Sequence, residues 1–200
     1  MKFDIKDFQN PHLKSFDEYL SMYEDSIQNP SEFFLDQAKK EIEWFKEPKK
    51  GHCGELTAPT WFEDGKLNIT YNCLDRHVKE TPNKTAIIWQ GDDKNHNQQI
   101  TYKELLTEVS KLANGLKALG VKKGDRICIY MPMVPQAAYS MLACMRIGAI
   151  HSVVFGGFAA NELASRIDDS KAKLLVTASC GYEPGRTVHY KPLVNKALEL

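Results

Sequence analysis

The sequence lacks an excess of charge of either sign, any paired-cysteine motif and any long uninterrupted hydrophobic run. Its 26 lysines and arginines balance 26 aspartates and glutamates, so no overall field favours binding to nucleic acid or to an anionic membrane surface. The five cysteines include no C-x-x-C pair, which favours reduced thiols in a cytoplasmic protein. The most apolar stretch, 134–155, contains polar residues and predicts a buried helix and strand, not a membrane span.

Complete catalytic motifs are also missing. The 200 residues contain no Walker loop, zinc-protease helix or serine elbow, and the first ten residues fit neither a signal peptide nor a transit peptide. Cys73 and His77 stand four residues apart without further ligands at zinc spacing, and His151 lies alone in an apolar run. We therefore predict packing roles for these side chains, with no catalytic residue and no metal site.

Two segments of different pattern divide the chain near residue 60. Residues 1–60 predict a helical extension and linker: Ser15 and Glu18 form a capping box pattern, and Pro30 opens a second helix whose apolar face includes Phe34 and Phe45. We expect residues 51–71 to be coil with one tight turn.

Residues 61–200 alternate between β-rich runs and helical patterns, as parallel α/β architecture requires. Thr101 and Glu104 predict a capping box at the start of a long helix, and residues 179–187 are predicted to be loop. The fold class predicted is α/β, a helical extension followed by an incomplete, mostly parallel sheet with crossover helices. Strands are expected at 85–90, 126–131, 149–155 and 173–178, with a hairpin return at 99–102, and helices at 74–80, 137–147, 161–169 and from about 192.

Two loops after predicted strands are candidate binding elements, because open sheets bind ligands at the carboxyl ends of their strands. In the first, formed by Phe155, Gly156, Gly157 and Phe158, the glycines allow close approach of a phosphate or an amide-containing ligand such as pantetheine. A tight turn with close packing explains them equally well. In the second loop, Arg186 suits a phosphate, although position alone favours a solvated arginine paired with Glu183.

Four long strings in the sequence are far more specific than a short motif. They are TWFEDGKLNITYNCLDRH at 60–77, KTAIIWQGD at 84–92, ITYKELLTEVSKLANGLKALGVKKGDR at 100–126 and IYMPMVPQAAYSMLACMRIGAIHSVVFGGF at 129–158. Together they resemble the acetyl- and propionyl-CoA synthetases, a branch of the adenylate-forming, AMP-binding enzymes. The similarity extends from about Phe16 to the end of the chain, and residues 179–200, with EPGR and YKPL, look more like propionate-activating members.

This resemblance implies that residues 61–200 are the first part of the large AMP-binding domain. It also implies a two-step ligase reaction in the cytoplasm, with small-molecule substrates and neither nucleic acid nor membrane as partner. ATP and acetate or propionate give an acyl-adenylate and pyrophosphate with the help of Mg²⁺, and the thiol of CoA then displaces AMP. By motif, Phe155, Gly156, Gly157 and Phe158 map near CoA, and Arg186 maps to its nucleotide phosphates. Acetate-type relatives often carry a second arginine where this sequence has Glu183, which implies a weaker or differently arranged phosphate contact.

The resemblance further implies that the phosphate loop, the adenine and carboxylate pockets and the adenylation lysine lie beyond Leu200. The chain then corresponds to roughly the first third of the enzyme and should not catalyse either step alone. We expect its incomplete sheet to self-associate or to be only marginally stable. Two alternatives remain open: a stand-alone, non-catalytic CoA-binding module, and an interaction scaffold built on residues 15–46.

Overall fold

The computed structural model describes residues 12–55 and 57–200. The first ten residues, for which the sequence predicts no leader peptide, lie outside this described part. The chain divides after Leu67 into two compact units. Within the described residues, no helix combines the length and the apolar character needed to cross a membrane.

The first unit contains two helices, α1 (Phe16–Gln28) and α2 (Pro30–Glu41), and two short antiparallel strands, β1 (His52–Cys53) and β2 (Thr60–Trp61). The capping box predicted for α1 is only half formed. Ser15 Oγ accepts the N–H of Glu18 at 3.1 Å, but the Glu18 carboxylate accepts the N–H of Lys14 at 2.6 Å.

Two predictions for this unit are wrong in detail. The segment 51–71 is not all coil, because it contains β1 and β2. Phe45 does not share a helical face with Phe34, because α2 ends at Glu41 and Ile42 is extended. After that point the N–H groups of Phe45 and Lys46 donate to the Lys66 carbonyl, so backbone pairing replaces the helix.

The second unit begins with a π-helical turn, Tyr71–Asp75, and then follows the predicted alternation of strands and helices. The capping box predicted at Thr101 and Glu104 is complete. Thr101 Oγ1 accepts the N–H of Glu104 at 3.3 Å, and the Glu104 carboxylate accepts the N–H of Thr101 at 2.8 Å. The remaining elements are α3 (Arg76–Glu80), β3 (Thr85–Gln90), β4 (Asn97–Thr101), α4 (Tyr102–Ala118), β5 (Arg126–Tyr130), α5 (Pro135–Arg146), β6 (Ile150–Val154), α6 (Ala160–Ser170), β7 (Leu174–Thr177), β8 (Cys180–Glu183), β9 (Arg186–His189) and α7 (Tyr190–Glu199).

A three-stranded parallel sheet in the order β6-β5-β7 lies at the centre of this unit, which confirms the α/β class. Strand β5 lies between the other two strands, and four of its five residues are buried. Tyr130 pairs with Val154 on one side and with Thr177 on the other. All three strands therefore end at the same edge. The pairs β3–β4 and β8–β9 form separate antiparallel hairpins.

Helices cover both faces of the sheet. Ile127 and Ile129 pack with residues of α4 and α5 in one core cluster, whereas Cys128 and Tyr130 pack with residues of α6 and α7 in a second. Strand β6 is less covered than its apolar sequence predicts, because it lies at the edge of the sheet. Ile150 and Val153 are 55% and 54% exposed, so the expectation of a buried strand is wrong for these two residues.

The carboxyl end of α5 is held by residues from the start of the unit. The Asn68 amide donates to the Arg146 carbonyl at 3.0 Å, and Thr70 Oγ1 donates to the Leu142 carbonyl at 3.0 Å. The Arg146 guanidinium also makes two bonds to the Asp75 carboxylate, of 2.8 and 3.0 Å. The bond from Asn68 thus satisfies the carbonyl of the last residue of α5, which has no acceptor role within the helix.

The prediction of loop at 179–187 is wrong, because this segment folds into the β8–β9 hairpin. Pro184 and Gly185 form its turn, and Gly185 has φ of 74°. Proline followed by a glycine with positive φ suits a two-residue β-turn. The hairpin places Glu183 directly opposite Arg186, a pairing that matters for the site described next.

Candidate functional site

Two neighbouring cavities lie at the edge where the parallel strands end. The larger has a volume of about 880 Å³ and the smaller about 150 Å³. Arg186 lines the larger cavity, whereas Phe155, Gly156 and Gly157 line the smaller one. Pro132, Met133, Tyr182 and Glu183 line both. The structure thus brings the two candidate loops to adjoining cavities. Phe158 lines neither cavity and packs against the second core cluster.

Tyr130 holds the 155–158 loop from the interior of the protein. Its phenol donates to the Phe158 carbonyl at 2.7 Å and reaches the Gly156 carbonyl at 3.3 Å. Burial raises the pKa of Tyr130, which keeps the hydroxyl protonated and able to donate. The N–H of Phe158 closes a turn onto the Phe155 carbonyl at 3.0 Å. The Phe155 and Phe158 rings meet edge to face, with centroids 5.8 Å apart.

The two glycines of this loop have different surroundings. A Cβ on Gly156 would overlap the hydroxyl of Tyr190, with the Met131 carbonyl 3.2 Å away. A Cβ on Gly157 would meet only the ring of Phe155, at 2.6 Å, and that ring is 70% exposed. Close packing therefore explains Gly156, while Gly157 presents an exposed backbone that a ligand can approach.

Arg186 is paired with Glu183, as its position in the sequence favours. Its Nε and Nη2 groups donate to the same carboxylate oxygen of Glu183, at 2.8 and 2.6 Å. The arginine and glutamate side chains are 71% and 44% exposed. Exposed ion pairs of this kind are weak, so the guanidinium can exchange this partner for another anion. The contact with CoA predicted for Arg186 stays a prediction.

The β3–β4 hairpin forms the opposite wall of the larger cavity, and the sequence did not predict this role. Trp89 Nε1 donates to the Met133 carbonyl at 2.8 Å, which ties the hairpin to the segment after β5. The same wall carries Asp92 and Asp93. Together with Glu183 they make this cavity rich in carboxylates, so an anionic ligand depends on Arg186.

The sequence did not predict the roles of two tyrosines at the smaller cavity. Tyr130, at the end of β5, bonds the loop that lines it, and Tyr190, at the start of α7, lines it directly. Their rings lie 4.9 Å apart. Burial, with a smaller effect from Glu183, raises the pKa of Tyr190, so both phenols are neutral near pH 7.

The packing roles predicted for the isolated histidines agree with their surroundings. Burial lowers the pKa of His151, so this side chain is neutral near pH 7, and His77 packs against the Tyr102 ring with centroids 4.9 Å apart. Across residues 12–55 and 57–200, no group of three or more His, Cys, Asp or Glu side chains could hold a metal ion.

Two family profiles match adjoining parts of the chain. The profile described as "AMP-binding enzyme" matches residues 74–199, more than half of the chain. The profile described as "Acetyl-coenzyme A synthetase N-terminus" matches residues 19–73.

Curated relatives agree with these profiles. An acetyl-coenzyme A synthetase of Gamma-proteobacterium EBAC31A08 is 49% identical over 193 residues, which are 96% of this chain and 30% of the relative. An acetyl-coenzyme A synthetase of Bradyrhizobium diazoefficiens is 50% identical over 184 residues, which are 90% of this chain and 28% of the relative. The chain thus spans about 30% of the length of the curated relatives it matches.

Proposed function

Because the chain belongs to the AMP-binding enzyme family, we propose that it is the amino-terminal part of an ATP-dependent short-chain acyl-CoA synthetase. In this proposal residues 1–60 are a helical extension and residues 61–200 are the first part of the AMP-binding domain. The whole enzyme converts a short carboxylate, ATP and CoA into acyl-CoA, AMP and pyrophosphate through an acyl-adenylate, and it acts in the cytoplasm.

The acyl group in this proposal is acetate or propionate. The relatives are named acetyl-coenzyme A synthetases, and that supports acetate. The propionate-like character of residues 179–200 remains a prediction from sequence. In this proposal Mg²⁺ binds together with ATP in the remainder of the enzyme.

The role proposed for this chain is to form part of the CoA site. The observation that carries it is the adjoining position of the two candidate loops at the carboxyl edge of the sheet. Pantetheine would run along the exposed backbone at Gly157, and the nucleotide phosphates would lie near Arg186. Phe155, Gly156 and Phe158 shape this path, and Tyr130 holds their loop in place.

Isothermal titration of the 200-residue chain with CoA, and separately with ATP, tests this role. We expect saturable CoA binding that weakens about tenfold or more in Arg186→Ala, because a charge-assisted bond to phosphate is lost. Arg166→Ala is the matched control, since Arg166 is an exposed arginine on α6 outside both cavities. An equal effect of the two variants, or no CoA binding, contradicts the proposal.

A non-catalytic CoA-binding module is the second candidate, favoured by the cavities and by the absence of a catalytic motif in these 200 residues. The two candidates share the site and differ in turnover. Acyl-CoA production from acetate, ATP and CoA by the longer protein that contains this chain supports the ligase. CoA binding by the 200-residue chain, with no turnover by any longer protein that contains it, supports the module.

A further inference from the structure

The geometry of the β8–β9 hairpin suggests a role for Glu183 that goes beyond pairing in the free protein. Glu183 and Arg186 are opposite each other in the hairpin register, beside the Pro184–Gly185 turn. Proline fixes its own φ, so this short turn keeps the backbones of the two residues close together. The carboxylate is therefore the nearest anion available to the guanidinium.

The pairing uses the edge of Arg186 that suits a phosphate best. Its Nε and Nη2 groups form a fork, and both donate to one oxygen of Glu183, at 2.8 and 2.6 Å. Carboxylates and phosphates bind to the same planar fork. A phosphate at Arg186 must therefore displace Glu183 or use a less favourable edge of the guanidinium.

We propose that Glu183 is an affinity-setting residue that competes with the nucleotide phosphates of CoA for Arg186. This inference rests on the proposed CoA site. The pair is exposed, at 71% and 44% for the two side chains, so a ligand can displace the carboxylate at modest cost. Once displaced, Glu183 still lines both cavities and repels the phosphates. Both effects lower affinity for CoA without closing the site.

The test is titration of the 200-residue chain with CoA and with pantetheine, which lacks phosphate. Glu183→Gln keeps the shape and polarity of the side chain but removes its charge. We expect it to bind CoA about three- to tenfold more tightly, the range that loss of one exposed charge contact allows. Pantetheine binding should not change. Asp92→Asn is the matched control. It removes one carboxylate from the wall of the larger cavity but leaves the pair of Arg186 and Glu183 in place.

A double-mutant cycle identifies Arg186 as the group through which Glu183 acts. In the Arg186→Ala background, Glu183→Gln should tighten CoA binding less than it does in the wild type, since the competition has been removed and only the repulsion remains. This inference is wrong if Arg186→Ala weakens CoA binding but Glu183→Gln binds CoA with the same affinity as the wild type or as Asp92→Asn. The proposed CoA site is still supported in that case. If neither wild type nor Glu183→Gln binds CoA, both are wrong.

Discussion

A methyl group added at Gly156 gives the sharpest test of how the candidate loop is built. The Cβ of alanine at this position would overlap the Tyr190 hydroxyl and would lie 3.2 Å from the Met131 carbonyl. Tyr190 is only 3% exposed and packs against the Tyr130 ring, so it has little room to move. At Gly157 the added Cβ meets only the Phe155 ring, which is exposed and can rotate away.

The magnitude follows from this difference. Overpacking in a well-filled interior costs about 1–3 kcal/mol, and the stiffer unfolded chain of alanine returns about 0.4–1 kcal/mol. We therefore expect Gly156→Ala to lower the free energy of unfolding by roughly 1–2 kcal/mol. For a chain of this size that corresponds to a fall in Tm of roughly 2–8 °C. Gly157→Ala should change stability by less than about 0.5 kcal/mol.

Urea unfolding followed by circular dichroism measures both variants, and Tyr190→Phe supplies the internal control. Phenylalanine removes the overlapping oxygen and leaves the ring Cζ 3.1 Å from the added Cβ, a tight but tolerable contact. Gly156→Ala should thus cost less in the Tyr190→Phe background, with a coupling of about 1 kcal/mol. Equal destabilisation by the two glycine variants, or purely additive effects with Tyr190→Phe, would refute the assignment of Gly156 to packing.

Three further outcomes are expected. Asp75→Asn leaves the Arg146 guanidinium without its half-buried carboxylate and should lower the free energy of unfolding, measured in urea, by about 1–3 kcal/mol. An unchanged urea midpoint contradicts this. Hydrogen bonds from Thr101 hold the pKa of Glu104 below its usual 4.5, so its stabilising effect is present above that pH and is lost as pH falls through the lowered pKa. Glu104→Gln should flatten the stability profile below pH 4.5, measured by thermal unfolding. The chain should self-associate in size-exclusion chromatography, and Val153→Lys on the exposed edge strand should reduce this, whereas a concentration-independent monomer would refute it.

Local signals predicted most of the second unit. Thr101 with Glu104 indicated the start of α4, and the β-rich run at 126–131 indicated the strand β5, because capping and strand preference depend on residues close in sequence. The exposure of Ile150 and Val153 could not be predicted in this way. It depends on the position of β6 at the edge of the sheet, which the sequence of the strand does not specify.

The β8–β9 hairpin shows a different limit. Residues 180–189 alternate weakly and contain polar and charged side chains, so hydrophobic periodicity alone indicated loop. The Pro184–Gly185 dipeptide was the available signal, since proline followed by glycine favours a tight turn. Once that turn is taken as a hairpin, the pairing of Glu183 with Arg186 follows from the register. The missed turn therefore concealed the strand register, although the positions of the two residues in the sequence had already favoured the pairing of Glu183 with Arg186.

The smaller cavity depends on contacts that no local pattern contains. Tyr130 at the end of β5 bonds the loop carbonyls, and Tyr190 at the start of α7 fills the space that a side chain at Gly156 would need. The two phenols lie sixty positions apart in sequence but belong to one core cluster. The shape of the loop is thus fixed from the interior by aromatic packing. Its side at Gly157 and Phe155 is exposed instead, which is why substitutions at the two adjacent glycines should affect different properties.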